Sequence, residues 1–292
     1  MAFLLLLLSS IFLAPAHATW VNSSGTQFQV AGALRTITPT IATGFLDPTC
    51  GSAGGTSLAQ VPGSKLTPEV PLPIVLVVSC LGSNATIQSQ LNFINPADGA
   101  VVKQISTTTA PTQGNQGGWV HLVYRPDKGD LLGCGANGAL YTITLAGTAT
   151  LLPQVAVATN CTGLAWDAEA DMIYLGLAVG GGGKIGRVVR FKDGTTSLLG
   201  DFTNLPCVAN GLAISGGVLL MSCDGTVTIR RLDKNTGLSL GVQGTLSATG
   251  LTSVQPEPGL GDFACDPVTF RKDATGKDSF TDALWSRRGA NG

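Results

Sequence analysis

The chain carries a tandem repeat of roughly 40 to 50 residues. One column of the repeat is an alternating strand-like segment at 91–94, 140–143, 188–191 and 229–232, in steps of 49, 48 and 41 residues (91 to 140, 140 to 188, 188 to 229). Repeat periods of this length are typical of solenoids and propellers. A second column ends in a turn and reads Leu46-Asp47-Pro48, Tyr124-Arg125-Pro126, Trp166-Asp167-Ala168, Ile214-Ser215-Gly216 and Cys265-Asp266-Pro267.

Each copy of the repeat reads as a small antiparallel sheet. Apolar and polar residues alternate with a period of two, and the runs are separated by Asn137-Gly138, Asp193-Gly194 and Asp224-Gly225, the pairs that tight hairpins favour. We predict four-stranded units at about 42–105, 119–155, 162–202 and 210–246. In the first unit, Thr49 to Leu72 is interpreted as a Gly/Pro/Ser-rich surface loop inserted after the inner strand.

The two ends of the chain predict ring closure. A fifth unit begins near Asp262 and has only two strands, whereas Thr26 to Ile37 supplies two strands without a sheet. Pairing them removes exposed sheet edges. We therefore predict an all-β fold, a β-propeller of four-stranded antiparallel blades in one domain over residues 19–292. Five blades is the preferred count, and six is the alternative if the chain is truncated.

Residues 1–18 read as an export signal. An apolar run from Phe3 to Leu13 precedes Ala16-His17-Ala18, a small-x-small cleavage pattern. The run is shorter than the ~20 residues that a membrane span needs. We expect a secreted or periplasmic protein without a membrane span. Charged residues make up 12% of the chain and the net charge is −1, which argues against nucleic-acid partners because these require a basic surface.

Seven cysteines in an exported chain predict disulfides. Cys134 and Cys223 end the second strand of a repeat, whereas Cys161 and Cys207 come just before an inner strand. These places lie at the same edge of an antiparallel meander, so we predict a Cys207–Cys223 bridge within one repeat and a Cys134–Cys161 bridge between two. The pairing of Cys50, Cys80 and Cys265 stays open.

Asn210-Gly211-Leu212-Ala213-Ile214 with Val218-Leu219-Leu220-Met221 resembles a blade motif of the senescence-marker-protein/gluconolactonase, strictosidine-synthase-like and NHL-type propellers. Gly163-Leu164-Ala165-Trp166-Asp167 with Met172-Ile173-Tyr174-Leu175 resembles a second copy, and the similarity covers about residues 160 to 285. The gluconolactonase resemblance implies a divalent metal on the axis, held by oxygen ligands at inner-strand starts. Here that column reads Thr43, Val120, Thr162, Asn210 and Gly261, with Asp262 one position out of register. We predict no metal.

Other residues that could take part in catalysis or cofactor binding also have purely structural interpretations. His121 is the only histidine after residue 18, and no Gly-x-Ser-x-Gly elbow accompanies it. The spacing Gly181-x-Gly183-x-x-Gly186 lies between two predicted strands, so we predict no nucleotide cofactor. Asp47, Asp167 and Asp266 share one repeat position and are interpreted as turn caps rather than glycosidase carboxylates. Three tryptophans are blade core or sugar-stacking aromatics: Trp119, Trp166 and Trp285.

These observations favour a binding protein over an enzyme. We expect an exported, non-catalytic propeller that binds a protein, glycan or small molecule at its axial face. The predicted ligand-binding residues stand at inner-strand entries: Trp119, His121, Asn210 and Asp262. The alternative is a lactonase- or glycosidase-type hydrolase of the propeller superfamily, using Asn210 and Asp262.

Overall fold

The computed structural model describes residues 18–21, 27–30, 55–245, 260–265 and 284–288, with gaps at 73, 81–84, 96–99, 114–115, 136, 154, 156–160, 180–184, 216 and 224–227. Strands dominate these residues, with one short helix, α1 (Ala85–Gln88), and a 3₁₀ turn at Gly63–Lys65. The strands are β1 (Ala18–Val21), β2 (Gln27–Val30), β3 (Gly55–Pro62), β4 (Ile74–Cys80), β5 (Gln90–Ile94), β6 (Val101–Ser106), β7 (Thr112–Gln113), β8 (Gln116–Gly117), β9 (Trp119–Arg125), β10 (Asp130–Gly135), β11 (Leu140–Thr144), β12 (Ala149–Leu151), β13 (Cys161–Asp167), β14 (Met172–Val179), β15 (Ile185–Lys192), β16 (Leu198–Leu205), β17 (Ala209–Ser215), β18 (Val218–Cys223), β19 (Thr228–Asp233), β20 (Ser239–Thr245), β21 (Leu260–Cys265) and β22 (Leu284–Arg288).

Consecutive strands form four antiparallel four-stranded sheets in a propeller arrangement. Blade 1 is β3–β6, blade 2 is β9–β12, blade 3 is β13–β16 and blade 4 is β17–β20. The pairs β1–β2, β7–β8 and β21–β22 form separate two-stranded sheets. The predicted all-β propeller fold is confirmed, and the four segments of the first sequence column are the third strands β5, β11, β15 and β19.

The inner strands contact one another in circular order. β3 lies against β9, β9 against β13, β13 against β17 and β17 against β21, and β21 returns to β3. β21 thus takes the place of an inner strand between blades 4 and 1. β1 contacts β22, although the predicted second strand at 31–37 lies outside the described residues. The count of five and the closure by N-terminal strands stay predictions.

The boundaries of blade 1 differ from those predicted. Its inner strand is β3, which pairs along its length with β4, so residues 55–62 are part of a blade and not a surface loop. The sequence analysis aligned Leu46-Asp47-Pro48 with the inner strands of the other units, and this segment lies outside the described residues. Pairing with β4, which is apolar apart from Ser79, decides the position of β3. Half of the residues of β3 are Gly, Thr, Ser or Gln, so its own composition gives little sign of burial.

The core lies between blades. Strands alternate side chains between two faces, and both faces are covered in blade 3. Ile173, Leu175 and Leu177 of β14 pack towards blade 2, whereas Met172 and Tyr174 pack towards blade 4. A third cluster joins blades 1 and 2 around Phe93, Trp119 and Tyr141. Each interface is therefore a sheet-on-sheet contact, which fixes neighbouring inner strands against each other.

Candidate functional site

The inner strands that the structure describes, β3, β9, β13, β17 and β21, each carry a β-bulge at the same place. The register shifts once near the second residue of each, where two residues oppose one on the partner strand. We call these positions the entry ring: Thr56, Val120, Thr162, Asn210 and Gly261–Asp262. A bulge interrupts the ladder and re-aims a side chain, and bulges are frequent beside functional sites. Because the inner strands form a circle, the five bulges surround the start of the central channel.

The entry ring corresponds to the axial column predicted from sequence, with two corrections. Thr56 takes the place predicted for Thr43, since β3 is the inner strand of blade 1. Asp262 is not out of register, because the bulge between Leu260 and Phe263 includes both Gly261 and Asp262. Asn210 and Asp262 therefore occupy equivalent positions. Their side chains lie outside the described part of the structure.

Among the polar residues of the entry ring, Thr162 is the one whose side chain the structure describes. The residue is half-buried, and its hydroxyl makes no hydrogen bond among the described residues. The Oγ1 atom lies over Gly176, 3.2 Å from where a Cβ there would stand, beside Ala209 of blade 4. A buried hydroxyl without a partner costs free energy, so this position at the seam of blades 3 and 4 has hydrogen-bonding capacity to spare.

Trp119 is buried and not exposed at the axial face, and its role as a ligand-binding residue stays a prediction that this burial does not favour. The side chain is fully buried between blades 1 and 2. Its Nε1 donates to Thr107 Oγ1 at 3.2 Å, and its ring meets Tyr141 edge-on at 5.1 Å. The alternative, blade core, is the one found. The residue precedes the bulge, where the side chain points into the interface.

His121 follows the bulge residue Val120 and is also buried. Its Cα lies opposite that of Cys134 across β9 and β10. Cys161 of blade 3 packs against the same apolar cluster as Cys134. Sequence analysis placed the two cysteines together, but the histidine beside them was missed. The register of β9 with β10, which places His121 opposite Cys134, is the signal that could have identified this neighbour.

Both described thiols of this group are free. Cys134 and Cys161 are not bonded to each other, so the predicted bridge between them is absent from the structure. Each thiol instead faces a backbone carbonyl, Cys134 towards Gly135 at 3.8 Å and Cys161 towards Gly163 at 3.7 Å. Burial and the contact with Cys134 raise the pKa of Cys161 well above its usual range, and the nearby His121 acts in the opposite direction.

Cys80 and Cys207 are each disulfide-bonded, and the cysteines that complete these bonds lie outside the described side chains. Cys207 precedes β17 by two residues, and the first pair of that strand with β18 is Ala209 with Cys223. This placement agrees with same-edge geometry. The pairing of Cys207 with Cys223 stays a prediction.

An ionic network joins blades 2 and 3 at the opposite ends of their inner strands. Arg125, the last residue of β9, has a side chain only 2% exposed and holds Asp130 through two hydrogen bonds of 2.7 and 2.6 Å. Its Nη1 reaches Asp193, in the turn after β15, at 2.7 Å. Lys128 also binds Asp193, and both cations lie over the ring of Trp166. Trp166 is thus part of an interface, not a sugar-stacking platform.

The next interface repeats the contact with reversed charges. Asp167 ends β13, and its Oδ2 accepts a 2.6 Å hydrogen bond from Lys234, the first residue after β19. Its Oδ1 accepts from the Ala170 backbone at 3.4 Å, as the turn-cap interpretation predicted. We call these two contacts, Arg125–Asp193 and Asp167–Lys234, the rim clamps. The second sequence column has a cation at Arg125 and an anion at the equivalent Asp167. This change of charge was the sequence signal for the two contacts, and the sequence analysis did not use it.

The rim clamps favour the ionised forms of their partners. Burial opposes ionisation of Asp193, but Lys128 and Arg125 outweigh it and lower the pKa of that carboxyl. Burial likewise opposes the charge on Arg125, yet Asp130 and Asp193 raise the pKa of its guanidinium. Arg125 and Lys128 both bind Asp193 Oδ2, whereas Oδ1 of the same carboxylate has no partner among the described residues. The network acts as a structural joint between blades.

Neither a metal site nor a membrane span emerges from the residues that the structure describes. Within those residues, no three His, Cys, Asp or Glu side chains converge in a way that could hold a metal ion. In the same residues, no helix has the length and apolar character to cross a membrane. The strands on either side of the glycine-rich segment, β14 and β15, pair antiparallel.

Comparison with known proteins yields fold neighbours alone. No family model matches the chain, and neither does any curated protein. Among solved structures, Sqt1 of Saccharomyces cerevisiae matches with 14% identity and a TM-score of 0.44, covering 89% of this chain and 65% of its own. The designed protein Ika8 matches with 12% identity and a TM-score of 0.42 (84% and 60%), and the RRP9 WD40 repeats with 10% and 0.36 (49% and 41%). These neighbours are WD40 and designed propellers, and such likeness carries nothing about activity.

Proposed function

We propose that this chain is an exported β-propeller that binds a partner at the entry ring. The observation that supports the proposal is the bulge repeated at the second residue of every inner strand. A bulge sacrifices ladder hydrogen bonds, so five equivalent ones are costly unless the exposed residues have a use. Binding residues are also found where irregular backbone is displayed on a rigid scaffold.

The chemistry available at the ring favours hydrogen bonding over electrostatic capture. By sequence, its polar residues are two threonines, one asparagine and one aspartate: Thr56, Thr162, Asn210 and Asp262. Hydroxyl, amide and carboxylate groups suit a neutral ligand with several hydroxyl or amide groups, such as a glycan or a peptide segment. The low net charge of −1 agrees with such a partner. The export part of the proposal rests on the export signal predicted from sequence at residues 1–18.

The rival function is a lactonase- or glycosidase-type hydrolase. Its support is the blade-level resemblance to the gluconolactonase family and the equivalent positions of Asn210 and Asp262. The histidine that could serve as a base, His121, is buried beside two thiols. We therefore place the binding function first.

One experiment separates the two functions. The full chain is applied to a glycan and peptide array and, in parallel, assayed against lactones, esters and glycosides. We expect array binding that is lost in Asn210→Ala and in Asp262→Ala, with no turnover. Leu151→Ala on the outer strand β12, where the side chain is 56% exposed, is the control and keeps binding. Lactone hydrolysis abolished by Asn210→Ala would replace the proposal with the rival, and binding lost only in the control would move the site off the axis.

A further inference from the structure

The loops at the two ends of the propeller differ in charge. Inner strands run from the entry ring towards the rim clamps, so the loops that follow the second and fourth strands of each blade lie on the side of the entry ring. We call these loops the entry face, and the loops that follow the first and third strands the exit face. Among the described residues, the exit face carries charges of both signs: Lys65, Glu69, Asp127, Lys128, Glu169, Asp171, Asp193 and Lys234.

The described part of the entry face contains no charged residue. It comprises residues 85–89, 107–113, 116–118, 137–139, 152–153, 155 and 206–208. By sequence, the rest of the loops on this side contribute Lys184, Asp224 and Glu257. A solvated surface normally mixes charges of both signs, whereas charged residues are depleted at the centre of an interface. The entry face therefore has the composition of a contact surface.

The side chains of this face argue against several kinds of partner. The described entry face has no Phe, Trp, Tyr, Met or Arg, the residues that protein–protein contacts favour. None of the exposed large apolar side chains among the described residues lies in these loops, and binding to a lipid surface would need them. The exposed residues described here are three threonines, one asparagine and two prolines: Thr86, Thr108, Thr112, Asn137, Pro153 and Pro206.

We propose that the entry face binds an uncharged polysaccharide. The inference rests on the proposed function, whose partner it narrows from a glycan or a peptide to one class. The hydroxyls of a neutral sugar chain both donate and accept hydrogen bonds, and the threonine hydroxyl and the asparagine amide do the same. In the entry ring, Asp262 adds a carboxylate by sequence, which is a further acceptor for sugar hydroxyls.

Two properties distinguish this contact from electrostatic binding. A neutral polymer has no condensed counterions to release, so the affinity should change by less than about twofold between about 50 mM and about 500 mM sodium chloride. A carboxylate introduced on the entry face would lose hydration without gaining a cation, so it should weaken binding about tenfold or more.

The test uses the full chain and insoluble polysaccharides. Cellulose, chitin, mannan and β-1,3-glucan are the neutral probes, and the neutral glycans of the array serve as further ones. Chitosan is the cationic probe and polygalacturonate the anionic probe. We expect at least one neutral probe to retain the protein equally well at the low and the high salt concentration, with weaker retention on both charged probes.

Two exposed threonines on opposite faces provide a matched pair of variants. Thr112 lies on the entry face in β7, and Thr148 lies on the exit face in the turn after β11. Thr112→Glu is expected to weaken retention about tenfold or more, whereas Thr148→Glu should bind as the wild type does. Thermal unfolding of both variants checks that they are folded. If Thr112→Glu does not fold, Thr86→Glu takes its place, since Thr86 is exposed in α1 of the entry face.

The inference and the proposed function fail in different ways. Stronger retention on a charged probe, loss of retention at high salt, or equal binding by Thr112→Glu and Thr148→Glu overturns the inference. Binding to array peptides that requires Asn210, without binding to any neutral probe, overturns the inference and leaves the proposed function in place. Failure to bind every polysaccharide, glycan and peptide overturns both.

Discussion

Removing the Arg125 guanidinium should destabilise the propeller far more than removing a similar one at the surface. Arg125→Met keeps most of the side-chain volume but leaves Asp130 and Asp193 without their shared cation, and both carboxylates are only 20% and 14% exposed. Lys128 still contacts Asp193. Breaking a buried ion pair on one side costs about 3–5 kcal/mol. Because the carboxylates keep some hydration, we expect the lower end, about 3 kcal/mol.

Arg187 provides a matched control. It binds Asp201 with the same two-bond geometry, at 2.8 and 2.6 Å, also between adjacent strands. Its side chain is 21% exposed and that of Asp201 is 38% exposed, and it does not reach a second blade through any described contact. Exposed ion pairs contribute about 0–1 kcal/mol. Arg187→Met should therefore cost no more than about 1 kcal/mol.

Urea unfolding followed by tryptophan fluorescence measures both variants. With a slope of roughly 3 kcal/mol per molar urea, a loss of about 3 kcal/mol lowers the midpoint by about 1 M. A triple variant with Arg125→Met, Asp130→Asn and Asp193→Asn should recover part of the loss, since no unpaired charge is left at the interface. Equal midpoints for Arg125→Met and Arg187→Met would refute the reasoning that burial determines the strength of this network.

Three further predictions concern acid stability, backbone packing and metal binding. The pKa of Asp193 lies below its ordinary value, so its contribution to stability is present above about pH 4 and is lost as pH falls through its folded-state pKa. The drop in thermal midpoint from pH 7 to pH 3 should therefore be smaller in Asp193→Asn than in the wild type. An unchanged drop would contradict this. Gly186→Ala should cost about 1–3 kcal/mol or more in urea unfolding, since its Cβ would overlap the Cys207 backbone, whereas Gly200→Ala meets only the flexible Arg190 side chain and should cost less; the reverse order would show that the backbone yields. Calorimetric titration with calcium or zinc should detect no micromolar binding, and binding that disappears in Asn210→Ala would overturn the predicted lack of a metal.

The sequence predicted the third strands well because they are regular. Their alternating pattern recurs near a fixed period, and glycines at positive φ mark the turns before β11, at Gly138, and after β15, at Gly194. Blade 1 was misplaced for the opposite reason. β3 has a polar composition and ends at Pro62, so only its pairing with β4 marks it as a strand, and pairing between distant segments leaves no local signal.

The bulges explain why the candidate site was only half predicted. The sequence column correctly aligned Val120, Thr162 and Asn210, because a repeat aligns positions whatever their conformation. It did not reveal that an extra residue interrupts the alternation there, which decides whether a neighbouring side chain faces the channel or the core. Trp119 and His121 were therefore assigned to the channel, whereas the structure buries both.

The reversed charges of the rim clamps make each blade recognise its own successor. Arg125 is complementary to Asp193, and Asp167 to Lys234. If blade 2 docked on blade 4, the cations of Arg125 and Lys234 would face each other. If one copy of blade 3 docked on another, the carboxylates of Asp167 and Asp193 would face each other. Repeat proteins with near-identical interfaces can misassemble or exchange repeats between molecules. We expect the penalty on wrong neighbours to favour the correct blade order during assembly. Exchanging the two charges of the Asp167–Lys234 clamp should therefore leave the mature fold stable while increasing domain-swapped dimers during refolding.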